Sequence, residues 1–351
     1  MSHLAQKYPQ LAGSPLAMAM FCRALVEREM FGEAFEMGLA ACEEAPDDME
    51  VRDLVNSALG SRLPHWHIPM LHDGPRSRAY ALAIRTCVRP GMTVLEIGTG
   101  AGLLSMVAAE AGAKVYTCEA NPCVAAAAAE VIRRNGLQDS ITVIPKGSDA
   151  LELGTDLPQP ADILISELFD ANLYGESIST IIADAKNRLL KAGANILPPR
   201  AQLRYALIDH RPPPERQPLG AIEGFDFTAF NVMARRPSSF LSCNKQNSRC
   251  RSEPGSALAT DFDREEPFGE RETRLKLISS GGRVSAVAQW LRIEFGDGII
   301  FENNPFRGPP SHWECPVHPL TEPLETAAGE AIDVTARLAL GNQILVKVRR
   351  A

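Results

Sequence analysis

The sequence predicts an α/β protein in which a helix-wrapped parallel sheet follows an N-terminal helical hairpin and precedes an antiparallel β domain. Three observations carry this reading. Between residues 76 and 200, apolar runs of strand length alternate with helix-length periodic segments, the pattern of a parallel sheet. Leu197-Pro198-Pro199-Arg200 then marks a boundary, beyond which short alternating runs are separated by turn-rich stretches, as in sandwiches and barrels. Residues 14–60, by contrast, are rich in alanine, leucine and methionine at helical spacing. A chain of 351 residues suits two domains with a small appendage. The expected division is a helical segment over 1–62, the parallel-sheet domain over 63–198 and the β domain over 199–351.

In order along the chain, Pro46-Asp47-Asp48 breaks the N-terminal helical pattern and caps a further helix. Residues 32–46 resemble the second helix of a tetratricopeptide hairpin. One hairpin with no repeat behind it builds no superhelical groove, so a cap or dimerisation element is expected. Residues 66–80 read as an amphipathic linker helix. Strands are then expected at 93–97, 114–119, 141–145 and 161–165, with helices at 103–111, 122–135 and 178–190. In the β domain the expected strands are 202–208, 275–279, 284–295, 298–302, 331–340 and 344–349. Residues 235–270, polar and rich in Ser, Arg, Asn, Glu and Pro, read as a long irregular insertion or mobile loop.

Composition narrows the function classes. With 45% hydrophobic and 23% charged residues the chain is globular. Net charge is −7 and no lysine-arginine block exists, which argues against nucleic acid or an anionic membrane as partner. There is no apolar run of spanning length and no basic-then-apolar leader pattern. The eight cysteines form no C-x-x-C, so reduced cytoplasmic thiols are expected, and no metal cluster is visible. Arginine outnumbers lysine 28 to 8, the skew of a GC-rich, bacterial genome.

Four segments carry chemistry. In the first, Val94-Leu95-Glu96-Ile97-Gly98-Thr99-Gly100-Ala101-Gly102, a strand runs into a glycine turn and then a helix. Glycines there let the backbone approach a ligand at a helix N-terminus. A dinucleotide-binding turn needs G-x-G-x-x-G, but position 103 is Leu. An acid on the strand before G-x-G-x-G is instead the S-adenosylmethionine (SAM) pattern. Glu119, at the end of the next expected strand, supports an adenosine ligand because an acid there accepts both ribose hydroxyls. The second segment, residues 166–176, reads Ser-Glu-Leu-Phe-Asp-Ala-Asn-Leu-Tyr-Gly-Glu. Glu167 and Glu176 either converge on a cation or are merely solvated, the usual fate of surface acids. Against the second option, Glu167 ends a very apolar strand, where a charge is costly without a partner. The third is Ser311-His312-Trp313, for which packing is the alternative to catalysis. The fourth is the run from Trp66 to Tyr80, containing His67, Met70, Asp73 and Arg76.

In this order and spacing the four segments resemble the protein arginine methyltransferases, most closely the type 7 branch, over residues 64–351. Glu-Leu-Phe-Asp followed by Gly-Glu is the wording of that branch. The resemblance implies a Rossmann-like SAM-binding sheet followed by a β-barrel substrate domain with a dimerisation arm. It implies that Glu167 and Glu176 grip the substrate guanidinium, with Asp73 and His312 as an acid-histidine pair across the same pocket. Met70 would lie beside the reacting groups, with Asp170 and Trp313 also on the substrate side. Asp170 matches an acid associated with a tight pocket and transfer of a single methyl group. Cofactor contacts would come from His67, Arg76 (on the SAM carboxylate), Glu96, Gly98, Gly100, Gly102, Glu119 (on ribose), and Ser148 and Asp149 (at adenine). SAM would leave as S-adenosylhomocysteine, and no metal is implied.

Departures are small: Glu96 stands where the family often has Asp, and Ser311 where it often has Thr. A single module implies pairing into a homodimer, although Pro212-Pro213-Pro214 alters the arm expected near residues 211–230. The resemblance leaves two substrates, free L-arginine or arginine in a peptide or protein, with free arginine the preferred expectation. A non-catalytic SAM-binding scaffold is the alternative of another class. Intact Glu167, Glu176, His312, Asp73 and Arg76 argue against it.

Overall fold

The computed structural model describes residues 7–211, 218–233, 246–264, 271–308, 311–339 and 343–351. It divides into two compact units, the first made of Met1–Glu167 with Asp184–Leu197 and the second of Leu168–Ala183 with Pro198–Ala351. Among the described residues no helix is long and apolar enough to cross a membrane.

The first unit begins with three helices, α1 (Pro15–Glu27), α2 (Phe31–Glu44) and α3 (Met49–Leu59). They share an apolar core of Met18, Cys22, Leu25, Met37, Val51 and Val55. Asp48 caps α3, its carboxylate accepting from the Glu50 and Val51 amides at 2.9 and 3.2 Å. At Gly38 the helices approach closely enough that a Cβ would meet Val55 at 2.9 Å, Leu59 at 3.1 Å and Cys22 at 3.2 Å. Two further helices, α4 (His67–His72) and α5 (Gly74–Cys87), replace the single expected linker helix. The break falls at Asp73, which caps α5.

The sheet of this unit follows. Its elements are β1 (Thr93–Ile97), α6 (Leu103–Glu110), β2 (Lys114–Cys118), α7 (Pro122–Arg134), β3 (Ile141–Ile144), β4 (Ala161–Ser166), α8 (Ile178–Arg188) and β5 (Leu190–Leu197). All strands pair in parallel, in the order β3-β2-β1-β4-β5. Every residue of β1 is buried, as a strand covered on both faces requires. Strand order reverses between β1 and β4, and at such a switch point the carboxyl ends of the strands leave a crevice for ligands. An ion pair between Arg134 and Glu43 ties α7 to α2.

The fifth strand, β5, was not among the expected elements. Its Lys191-Ala-Gly-Ala stretch is exposed and bulged, with Gly193 at φ +75°, so it carries no strand signal.

The second unit holds a seven-stranded antiparallel sheet. Its main path is β10 (Gly255–Asp261), β6 (Arg200–His210), β11 (Arg271–Gly296), β13 (Val317–Ala339) and β14 (Gln343–Arg350). Strand β12 (Ile299–Glu302) joins β11, and β9 (Ser248–Cys250) joins β6. A small hairpin, β7 (Ala221–Ile222) with β8 (Phe225–Asp226), stands apart. Two expectations need correction. The expected strands 275–279 and 284–295 are one strand, bent at Gly281 and Gly282 with φ of +92° and +91°. The glycine pair reads as a turn but makes a bend. Within the expected irregular segment 235–270, described residues 246–264 supply β9 and β10, both paired with β6. Residues 234–245 and 265–270, like Pro212-Pro213-Pro214, lie outside the described residues.

Gly38→Leu should force α1 and α3 away from α2, costing about 1–3 kcal/mol as overpacking does. Limited proteolysis should then cut within residues 14–60 faster than in wild type, and an unchanged digestion pattern would count against the close approach at Gly38.

Candidate active site

Strand β1 delivers the glycine turn. Gly98, Gly100 and Gly102 have φ of +89°, +52° and +85°, conformations that side chains rarely adopt. The turn is pinned to β2 because the Gly98 and Thr99 amides donate to the Cys118 carbonyl at 3.0 and 3.1 Å. At Gly102 a Cβ would press on Ile132 of α7 at 3.2 Å, so this glycine lets the helix layer close against the turn. Beneath lies a buried polar chain: Thr99 and Thr117 hydroxyls 2.7 Å apart, and Thr117 and Ser105 both donating to Glu96 Oε2.

Glu96 is 1% exposed, and burial raises its carboxyl from 4.5 to about 7. Expected at the cofactor, it accepts from Ser105 and Thr117 beneath the turn, and these partners join β1, β2 and α6.

Around the turn stand other expected residues. Glu119 accepts from the Gly100 amide at 3.1 Å and the Asn121 amide at 2.9 Å, leaving lone pairs on both oxygens. Helix α4 passes by Gly100, whose built Cβ would lie 3.9 Å from Met70 Cε and 4.0 Å from His67 Nε2. His67 Nδ1 is buried without a hydrogen-bond partner among the described residues. Burial lowers its pKa, against the pull of Glu119 and Glu167. Ser148 and Asp149 form a short turn after β3, where the Ser148 carbonyl accepts from Arg188 at 3.1 Å.

The structure brings together two residues to which the sequence assigned separate ligands. Arg76, in the first turn of α5, donates through Nη2 to Glu167 Oε2 at 2.5 Å, with both side chains buried. Asp73 Oδ1 accepts from the Arg76 amide at 3.1 Å and so fixes where that turn begins. One turn later Tyr80 lies under the Arg76 guanidinium, 5.3 Å from centroid to Cζ, and its hydroxyl reaches the Ser166 carbonyl at 3.4 Å. Arg76 Nε is buried without a partner among the described residues.

Beyond Glu167 the loop belongs to the second unit and is fastened there. Trp313 Nε1 donates to the Phe169 carbonyl at 2.8 Å. Gln289, on β11, donates through Nε2 to the Ala171 carbonyl at 2.9 Å and to Asn172 Oδ1 at 3.0 Å. The Tyr174 hydroxyl lies 2.8 Å from the Leu258 carbonyl and 2.7 Å from Thr260 Oγ1. Asp170 Oδ1 accepts from the Asn172 and Gly175 amides, each at 3.0 Å, while burial raises its carboxyl. A Cβ on Gly175 would run into the Asp170 carboxylate, which would have to shift to make room. The turn leaves Glu176 exposed. His312 is half-buried, its ring 4.3 Å from that of Trp313. Trp313 and Asp170, both expected on the substrate side, therefore make their contacts within the loop and its sheet.

Comparison with known proteins identifies this arrangement. Residues 80–198 match the family model described as Ribosomal protein L11 methyltransferase (PrmA). Over 324 residues the chain is 35% identical to Arginine N(omega)-methyltransferase of Streptomyces achromogenes subsp. streptozoticus, covering 91% of this chain and 89% of that one. Over 263 residues it is 31% identical to Protein arginine N-methyltransferase 7 of Oryza sativa subsp. indica, covering 68% of this chain but only 36% of that longer one. The chain belongs to the protein arginine methyltransferase family. Its fold is shared with the Trypanosoma brucei PRMT1 enzyme-prozyme heterotetrameric complex with AdoHcy, at a TM-score of 0.71 and 24% identity over 81% of this chain and 93% of that one.

This arginine methyltransferase is a SAM-dependent N-methyltransferase, and its residues fit that cofactor. The positive-φ glycines give a turn open to close approach. His67 Nδ1, Arg76 Nε and Ser166 Oγ are buried polar atoms lacking partners among the described residues, the state of groups that a ligand completes. Sequence reading missed Ser105, Thr117 and Gln289, because single polar residues inside strands and helices carry no motif, and it gave no role to Tyr80 and Tyr174 within the segments it singled out.

Glu96 gives the methyltransferase a measurable pH dependence. Its carboxyl binds a proton more tightly in the fold, at about 7, than at its ordinary 4.5. This group therefore favours the fold at acid pH, and that contribution is withdrawn as pH rises from 4.5 through 7. Glu96→Gln should remove the slope. The difference between wild-type and variant unfolding free energies should shift by up to about 3 kcal/mol across the window, and parallel pH profiles would refute the assignment.

Proposed function

We propose that this arginine methyltransferase transfers one methyl group to an ω-nitrogen of free L-arginine. Glu167 and Glu176 would take the substrate guanidinium, and Asp73 with His312 would complete the acid-histidine pair. Met70 would lie beside the reacting atoms, with Asp170 acting through the loop it caps. Arg76 would face the SAM carboxylate, Glu119 the ribose, and Ser148 with Asp149 the adenine. The observation that carries this reading is the Arg76–Glu167 pair. Glu167 is buried, is already matched to a guanidinium through Oε2, and has no partner at Oε1 among the described residues. Free arginine as substrate is supported by the Streptomyces relative, which is named for arginine and aligns over nearly all of both chains.

The chemistry follows from charge. A guanidinium stays protonated at ordinary pH, with a pKa above about 12, and is a poor nucleophile. A carboxylate that accepts from it orients the group and draws positive charge away from the attacking nitrogen. When bound, SAM supplies a methyl already activated on sulfonium. The methyl would pass to the substrate nitrogen, SAM leaving as the neutral thioether S-adenosylhomocysteine, and a carboxylate would take the proton that the nitrogen sheds. Alignment at a reacting distance of roughly 3–3.5 Å is then the protein's main contribution.

A homodimer is supported by the apolar arm around β7 and β8. There Phe225, Phe230, Val232 and Met233 are 71%, 58%, 89% and 68% exposed, a patch that calls for a partner surface. Cytoplasmic action is supported by the cysteines, none of which forms a disulfide among those described.

Glu167→Gln should lower turnover by about 10²–10⁴-fold while SAM affinity measured by titration calorimetry stays within a few fold. Wild-type turnover in that variant would sink the assignment. With labelled SAM, the enzyme should methylate L-arginine in preference to a glycine-arginine peptide and stop at monomethylarginine by mass spectrometry. Preferred labelling of the peptide would move the substrate to proteins, and mostly dimethylated product would refute single transfer.

A further inference from the structure

Gln289 is fully buried in the middle of β11, and all four of its amide's hydrogen-bonding capacities are engaged. The direction of those bonds is settled by chemistry rather than by which end of the amide is drawn as oxygen. The Ala171 carbonyl can only accept, so the group 2.9 Å from it must be the Gln289 NH2. That NH2 also lies 3.0 Å from the Asn172 side chain, which therefore presents its oxygen. The opposite end of Gln289 is the acceptor, taking the Tyr205 hydroxyl at 2.9 Å and His318 Nε2 at 3.0 Å. Polarity thus runs one way, from Tyr205 and His318 in the sheet, through Gln289, into the loop.

The next link is Asp170. Its Oδ1 takes the Asn172 and Gly175 amides at 3.0 Å each, which ties these two backbone positions to one carboxylate oxygen. Asn172 thus meets both groups, its side-chain oxygen turned to Gln289 and its backbone amide donating to Asp170 Oδ1. Holding Ala171 and Asn172 therefore holds Asp170, and Asp170 in turn holds the Gly175-Glu176 end of the loop.

We propose that Gln289 is a positioning residue that sets how many methyl groups the substrate receives. It acts through Ala171 and Asn172 on Asp170 and Glu176 and touches neither substrate nor cofactor. This inference rests on the reading of Asp170 and Glu176 given above. A loop clamped at both Ala171 and Asn172 cannot widen to admit an already methylated guanidinium. Releasing the clamp lets it do so. Glu at this position keeps the size but has at most one hydrogen to donate, so it cannot satisfy both the Ala171 carbonyl and the Asn172 side-chain oxygen.

The test measures product distribution by mass spectrometry with L-arginine and SAM, for wild type, Gln289→Met, Gln289→Glu and Tyr205→Phe. Tyr205→Phe removes one donor to Gln289 and leaves the loop contacts in place, so it remains informative if the Gln289 variants do not fold. Dimethylarginine relative to monomethylarginine should rise about tenfold in the Gln289 variants, the effect of losing a buried hydrogen bond. Tyr205→Phe should shift it in the same direction by less, with SAM affinity within twofold throughout. Monomethylation by wild type and by every folded variant, whatever the loss of rate or of Tm, would overturn this role for Gln289 alone. Dimethylation by wild type would overturn the single-transfer reading and this inference with it.

Discussion

A carboxylate at the end of a buried strand needs a counter-charge, and in this protein the counter-charge is Arg76. Strand β4 is apolar and covered on both faces, so Glu167 emerges where water cannot solvate it. Leaving either member of such a pair alone costs about 3–5 kcal/mol. The requirement reaches backward along the chain. Arg76 can meet Glu167 only if α5 starts where Asp73 caps it, and Tyr80 must lie one turn on to floor the guanidinium. The α4–α5 corner that puts His67 and Met70 beside Gly100 is placed by the same cap. One ion pair thus orders the helices that flank the cofactor turn.

The rest of the loop obeys a different constraint, the need of irregular backbone for hydrogen bonds when it is not solvated. Between Phe169 and Gly175 the carbonyls and amides find partners in Trp313, Gln289 and the Asp170 carboxylate, and Tyr174 reaches β10 with its own hydroxyl. Gln289 comes from the antiparallel sheet, Trp313 from the segment before β13, and Asp170 from the loop itself. Side chains of the second unit thus hold this loop.

This division explains what the sequence made legible. Strands β1 to β4 announce themselves because burial on both faces demands continuous apolar runs, and the glycine turn does so because positive φ demands glycine. Strand β5 is silent, since an exposed, bulged edge can be written in lysine, alanine and glycine. Gly281-Gly282 misleads because a turn and a bend ask for the same residue. At the site, Glu167 and Glu176 stand out by their context, whereas Gln289 is one amide in a long strand. Its meaning lies in four partners distant in sequence, and no local pattern encodes those.

The acids around the site can be told apart by how their oxygens are used. Glu96 is buried and Asp170 half-buried, both have raised carboxyl pKa values, and each accepts from neighbours that build a turn. Glu119 gives one contact per oxygen to backbone amides and keeps a lone pair on each. Glu167 uses Oε2 for Arg76, and Glu176 stands exposed. Resemblance alone would place all five at a ligand. Glu119 and Glu167 thus keep acceptor capacity for something bound, while the oxygens engaged by Glu96 and Asp170 build turns. A cationic substrate and a ribose diol are both donors, so that remaining capacity is what the proposed chemistry requires. In the proposed reading, Asp170 would bear on the number of methyl groups transferred through the turn it caps, by its hold on the Asn172 and Gly175 amides, rather than by meeting them.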